Sequence, residues 1–227
     1  MARQKKEKFI PEGQDGNALV PKNTTQRTYI KALYSSPQTI VMGPAGTGKT
    51  YIATRVACEL FQLGKIDRIC LTRPNVSQSK SLGFFPGTLH EKIAPWVMPV
   101  SEVIIECLGK NTYELMLKRG QLDIIPFEVL RGRSLANAFI LLDEAQNTTP
   151  AEMKTFLTRI GHDATCVVNG DISQSDLKAT SGLATILDMN KQLGLGIPTI
   201  EFCVDEIVRS DLCKMWTKAF IQVEKGT

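Results

Sequence analysis

The sequence predicts an α/β fold in three layers, with a mainly parallel sheet between helices. Short apolar runs bounded by turn residues alternate with segments of helical spacing, the pattern of a sheet covered on both faces. One run, Gln38-Thr39-Ile40-Val41-Met42, leads straight into Gly43-Pro44-Ala45-Gly46-Thr47-Gly48-Lys49-Thr50. That octapeptide is the phosphate-cradling P-loop pattern G-x-x-x-x-G-K-[ST], in the strand–loop–helix setting it requires. A second run, Ala138 to Leu142, ends in the paired acids Asp143 and Glu144.

The elements follow in order. Residues 1–22 carry Lys or Arg at 3, 5, 6 and 8, then Pro11, Gly13, Gly16 and Pro21, and read as a flexible basic arm. Such an arm is either a solvated tail or a contact for RNA and acidic surfaces. Residues 23–227 are then a single domain, of a size that buries a substantial core. A helix is expected over Thr25–Leu33. Strands are expected at 38–42, 67–72, 122–126, 138–142, 164–169 and 198–203. After the P-loop, Ile52, Val56 and Leu60, joined by Ala53, Ala57 and Leu63, recur at helical spacing. Thr149-Pro150-Ala151-Glu152 combines an N-cap, a proline at the first helical position and a capping-box glutamate, with Gly161 as the expected stop. The face Met153, Phe156, Leu157 and Ile160 reads as core. A last helix opens at Ser210, and its Leu212, Met215, Trp216, Ala219, Phe220 and Val223 read as a packed closing face.

Composition narrows the function classes. The formal charge of +4 is too mild to announce a nucleic-acid binder. The six cysteines show no C-x-x-C spacing, and with two histidines there is no zinc framework. Cys58, Cys70 and Cys166 fall in apolar runs, as reduced core residues do. Residues 1–17 lack the apolar stretch of a secretion signal, and no run reaches the ~20 residues of a membrane helix. The expectation is a cytoplasmic protein without a membrane partner.

The chemistry comes from three strand ends. Glycines at 43, 46 and 48 let successive amides point at phosphate oxygens, and the following helix aims its positive end there. Pro44, Ala45 and Thr47 complete the cradle, Lys49 reaches the β- and γ-phosphates, and the Thr50 hydroxyl ligates Mg²⁺. Asp143 fits the outer metal ligand, placed beside the P-loop strand. Glu144 fits the general base that polarises the attacking water. Two acids capping the next helix would be the plain alternative, but Thr149 already caps it. A water-activating glutamate favours hydrolysis over phosphoryl transfer to a small molecule. The third run, Thr165 to Asn169, leads to Gly170-Asp171-Ile172-Ser173-Gln174, where Asp171 and Gln174 either sense the γ-phosphate or form a simple turn.

With these motifs in line, the chain resembles the PhoH-like family, RecA-type P-loop ATPases related to superfamily-one helicases. The resemblance spans about residues 23–220: GPAGTGKT (43–50), LTRP (71–74), LGFFPGTLHEKIAP (82–95), RGR (131–133), LLDEAQNTTP (141–150), FLTRIG (156–161), NGDISQSDL (169–177), SGL (181–183) and IVRS (207–210). It implies a RecA-like fold, binding and hydrolysis of ATP with Mg²⁺, RNA-related work and, by the family's name, phosphate starvation. It also makes Gln26 the helicase-type glutamine that reads the adenine edge; from its own surroundings Gln26 reads as a surface residue. IVRS departs from the family's more usual V-R-H, leaving Arg209 as a phosphate-sensing residue without the histidine.

Related helicases place ATP between two lobes, the second supplying an arginine worth about 10³–10⁵ in rate. With one such core, the expectation is a homo-oligomer, a hexameric ring first, in which a neighbour's arginine completes the site. Candidates are Arg159, Arg209, Arg131 and Arg133; Arg159 reads equally as a partner of its helix's negative end. For RNA or single-stranded DNA, Thr72-Arg73-Pro74 follows a strand end, and Lys80, Lys92, Lys118, Arg119, Arg131 and Arg133 either line a groove or solvate the surface. Phe84 and Phe85 either stack on bases or anchor an insertion. The alternative class is a regulatory module in which slow hydrolysis of ATP switches assembly or partner binding.

Overall fold

The computed structural model describes residues 18–74, 89–177 and 180–225. Among these, α1 spans Thr24–Ser35, β1 Gln38–Met42, α2 Lys49–Gln62, β2 Arg68–Thr72, α3 Leu89–Leu108, α4 Lys110–Lys118 and β3 Leu122–Ile124. Then come β4 (Ala138–Leu142), α5 (Pro150–Leu157), β5 (Thr165–Gly170), α6 (Gly182–Leu193), β6 (Thr199–Glu201) and α7 (Asp211–Lys225). The strands form one sheet in the order β3-β2-β4-β5-β1-β6, and every pairing is parallel. This is the three-layer RecA-like P-loop arrangement, with the sheet wholly rather than mainly parallel.

Strand alternation splits the core in two. Val41, Ile69, Leu71, Phe139, Leu141 and Val167 face α1, α2, α3 and α4. Ile40, Cys70, Ile140, Leu142, Cys166 and Val168 face α5 and α6. Both faces of β4 are buried throughout, which is why it reads as a continuous apolar run. The cysteines are free thiols, with 58, 70 and 166 buried. No helix among the described residues is long and apolar enough to cross a membrane.

Three expectations are corrected. The acid-bearing strand β4 is not beside the P-loop strand β1, because β5 stands between them. The α5 cap is as expected, with Thr149 and Glu152 exchanging hydrogen bonds, but the helix ends at Leu157 with Thr158 as its C-cap. Gly161 serves a close approach instead, since a Cβ there would lie 2.9 Å from Ala136. Nor does α7 close the core. Leu212, Met215, Trp216, Phe220 and Val223 are all exposed, and its inner stripe is Cys213, Lys214, Thr217 and Ile221.

Candidate functional site

The site forms at the carboxyl edge of the sheet, where β1, β4 and β5 end. The P-loop bends through positive φ at Gly43 (131°), Gly46 (86°) and Gly48 (91°). At Gly43 a Cβ would meet the Phe202 carbonyl oxygen at 2.5 Å, so only glycine lets β6 and the loop approach. Thr47 is buried and donates to the Pro44 carbonyl at 3.0 Å, pinning the loop's centre. Ala45 lies within the same turn. The Lys49 ammonium donates to the carbonyls of Gly43 and Pro44, at 2.6 and 2.9 Å.

Lys49 is the electrostatic centre. Burial pulls its pKa below the ordinary lysine value, while Asp171, Asp143 and Glu144 push it back up and Arg209 adds to the lowering. The candidate P-loop, acid-pair and phosphate-sensing residues are therefore one neighbourhood.

Thr50, Asp143 and Asn169 form a closed triangle. The Thr50 hydroxyl donates to Asp143 Oδ1 at 3.3 Å, and Asn169 Nδ2 donates to the same oxygen at 2.5 Å and to Thr50 Oγ1 at 2.8 Å. Asn169 Oδ1 is buried and has no hydrogen-bond partner among the described residues. Burial, and then the Glu144 charge, raise the Asp143 carboxyl above its ordinary pKa; Arg73 works against them. A buried, acid-side carboxylate next to a hydroxyl is a donor set for a hard cation, which relieves the charge. Among the described residues no cluster of three or more His, Cys, Asp or Glu offers a cage for a metal. A hydroxyl beside one carboxylate fits Mg²⁺, which is bound through few protein oxygens together with substrate phosphates. Thr50 and Asp143 are thus the residues suited to hold it.

Glu144 sits in the left-handed region (φ 54°, ψ 39°), uncommon for a non-glycine residue and a mark of functional sites. Its carboxylate accepts from Gln146 Nε2 at 2.6 Å and pairs with Arg73 Nη2 at 3.5 Å. Gln146 is buried, and its Oε1 accepts from the Asp171 amide at 3.0 Å. One side chain therefore ties the β4 tip to the β5 tip. Asp171 Oδ1 accepts from the Ser173 amide at 3.0 Å, and Gln174 Nε2 donates to Asp171 Oδ2 at 2.9 Å. The plain turn and the charged neighbour of Lys49 coexist at Asp171.

Gln26 is buried, not a surface residue. Its Nε2 donates to the Thr47 carbonyl at 3.0 Å and its Oε1 accepts from the Lys22 amide at 2.7 Å. Arg209 lies over its own chain's P-loop: a Cβ on Gly46 would be 3.0 Å from Arg209 Cδ, and the Val208 amide donates to the Gly46 carbonyl at 3.0 Å. Arg159 is elsewhere. Its carbonyl accepts from Leu135, just ahead of β4, which puts it at the amino edge of the sheet. Arg133 pairs with Asp123 at 2.8 Å, and Arg131 is exposed in the same turn. Lys118 and Arg119 end α4, ahead of β3, on the amino side. Lys80, Phe84 and Phe85 lie outside the described residues, and Lys92 is placed only as a position in α3. Sequence reasoning missed Asn169 and Gln146. The available signal was a polar residue closing an apolar strand, and an amide two places after the acid pair.

Comparisons with known proteins show the family of the chain. The PhoH-like protein family matches residues 18–221. A PhoH-like protein of Bacillus subtilis (strain 168) is 40% identical over 216 residues, covering 94% of this chain and 67% of its own. Protein PhoH of Escherichia coli (strain K12) is 38% identical over 213 residues, covering 92% of this chain and 60% of its own. The chain thus spans roughly two thirds of the length of these relatives. Among solved structures, the Pif1 helicase from Candida albicans is similar at 16% identity and a TM-score of 0.38, over 82% of this chain and 41% of that one. With a P-loop, an acid pair and their interposed strand accounted for, this chain belongs to the PhoH-like family.

Proposed function

We propose that the chain binds ATP with Mg²⁺ and hydrolyses it, as a homo-oligomer whose turnover responds to RNA or single-stranded DNA. The observation that carries this reading is the hydrogen-bonded triangle that joins Thr50 of the P-loop to Asp143 and Asn169 at two neighbouring strand tips, with Lys49 in the field of Asp143, Glu144 and Asp171. The P-loop amides and Lys49 bind the phosphates, and Thr50 and Asp143 orient the metal. Bound Mg²⁺ supplies charge neutralisation on the phosphates. Glu144 accepts the proton of the attacking water, and Asp171 and Gln174 register the γ-phosphate. Gln26 keeps one amide proton and one lone pair beyond its observed bonds, enough to read adenine. Arg209 acts in its own subunit; the neighbour's contribution to a ring then falls to Arg159, Arg131 or Arg133.

One observation favours the slower regulatory reading at rest. Arg73 and Gln146 both hold Glu144, and Arg73 follows the strand end where nucleic acid is expected. A nucleic-acid phosphate that recruits Arg73 would loosen the carboxylate and leave Gln146 as its remaining hold, so RNA would raise turnover by a few-fold at most.

Phosphate release by the purified chain, with RNA, DNA or no polymer, tests this. Glu144→Gln should bind nucleotide normally and lose about 10²–10⁴ in rate. Failure of the wild-type chain to bind adenine nucleotides sinks the reading, as does a Glu144→Gln rate within twofold of wild type.

A further inference from the structure

The amphipathic helix α7 is mounted with its faces reversed. On a helical wheel Leu212, Met215, Trp216, Ala219, Phe220 and Val223 occupy one arc. That arc points outward: Leu212 is 63%, Trp216 55% and Phe220 62% exposed. The helix is tied down by its polar edge instead. Lys218 pairs with Asp205 at 2.6 Å, and the Lys214 ammonium donates to the Asp205 carbonyl. The Trp216 and Phe220 rings adjoin at a 35° tilt, centroids 6.1 Å apart, and form the centre of an apolar ridge.

We propose that this ridge is a docking surface for a second copy of the chain, helix α7 against helix α7. The proposal goes beyond the assembly reading above: it adds a two-fold contact, separate from the head-to-tail one that would bring a neighbour's arginine to the site. Two features select a second copy as the occupant. First, the apolar positions are self-complementary when two such helices run antiparallel about a two-fold axis centred between Thr217 and Lys218. Leu212 then faces Val223, Met215 faces Phe220 and Trp216 faces Ala219, apolar against apolar at each level. Second, the area suffices only if both partners bring an equal ridge. Five large side chains exposed by half or more offer about 500 Å² per copy, and twice that is about the 1,000 Å² at which specific interfaces begin.

The surface also reports to the nucleotide site. Arg209 is two residues ahead of α7, and Val208 is hydrogen-bonded to the P-loop at Gly46. Pairing fixes the start of α7 and, through it, the Arg209 side chain above Gly46. A two-fold contact joins copies in pairs, so an assembly in which every α7 is docked has an even copy number.

Sedimentation velocity of the full chain tests the surface. Wild type should associate at micromolar concentration into even-numbered species. Trp216→Glu and Phe220→Glu, both at exposed sites, should weaken association at least a hundredfold. Leu193→Glu, equally exposed on α6, should associate as wild type does. In a Cys203→Ser, Cys213→Ser background, Met215→Cys chains mixed with Phe220→Cys chains should give the mixed disulfide dimer in preference to either self-paired dimer. Binding of a fluorescent ATP analogue, measured on the same samples, separates the two readings. Normal nucleotide binding by a chain that stays monomeric at about 100 µM overturns the docking surface alone. Association unaffected by Trp216→Glu, or equally weakened by Leu193→Glu, also overturns it. So does binding to anionic phospholipid vesicles that Trp216→Glu abolishes in a chain that does not self-associate.

Discussion

Removing the Arg73 guanidinium measures how firmly Glu144 is held. In Arg73→Ala the carboxylate loses a 3.5 Å ion pair but keeps the Gln146 amide at 2.6 Å. The paired side chains are 34% and 35% exposed, so water and salt screen them. Pairs of that kind contribute roughly 0.2–1 kcal/mol. The amide bond has a charged acceptor and a buried donor and is worth about 1.5–3 kcal/mol, so Gln146 is the stronger restraint. Releasing only the weaker one should raise basal ATP turnover by about 1.4- to 5-fold, the Boltzmann factor of the ion pair. The same change should remove most stimulation by single-stranded RNA, because the polymer then has no arginine to draw away. The assay is phosphate release at saturating Mg-ATP, with and without poly(U), at low and high salt. Salt should speed the wild-type basal rate toward that of Arg73→Ala and leave the variant nearly unchanged. A tenfold or larger fall in basal rate for Arg73→Ala would refute the reasoning, because Arg73 would then be supporting the reaction rather than restraining its base.

Three further perturbations probe the site's construction. Asp143→Asn should raise the urea midpoint of the metal-free chain at pH 8. Burial holds the Asp143 pKa above its unfolded value, so its contribution is present below about pH 4 and lost as pH rises through the folded pKa. The variant's advantage should therefore fade toward pH 4, and a wild type more stable than Asp143→Asn at pH 8 in chelator contradicts it. Asn169→Ala removes both bridging bonds behind the metal ligands and should raise the Mg²⁺ needed for half-maximal turnover by about 10–100-fold, read from Mg²⁺ titrations at fixed ATP. Gly43→Ala forces a Cβ to within 2.5 Å of the Phe202 carbonyl at a φ of 131° and should cost about 1–3 kcal/mol of stability, measured by urea unfolding.

The parts legible in the sequence were those encoded locally. β1 and β4 run over the expected residues because each is an apolar stretch with sharp polar or glycine borders. The α5 cap was legible because Thr149, Pro150 and Glu152 act within one turn. Strand order was not, since no residue in β5 announces that it pairs with both β1 and β4. Asn169 went unseen for the same reason: its role exists only once β5 lies between Thr50 and Asp143. Gln26 depends on a contact 21 positions away, at Thr47. Periodicity in α7 gave the stripe correctly but not its direction, because spacing shows that a helix has an apolar side and not what that side meets. At Gly161 a conformational cue looked like a helix stop, whereas the constraint is the neighbouring backbone at Ala136.

The interposed β5 has a consequence for cutting and rejoining the chain. Lys49, Asn169 and Asp143 are spaced by the sheet's own width, two steps of about 4.8 Å, and not by the loops that connect them. New termini opened in the turns at Gly64 or Gly194, both on the far rim with open space around them, should therefore leave a circularly permuted protein with the same catalytic spacing. A break between Glu144 and Thr149 would instead detach the Gln146 strut that spans two strand tips, and a permutant opened there should fold yet lose register between its acid and its phosphate grip.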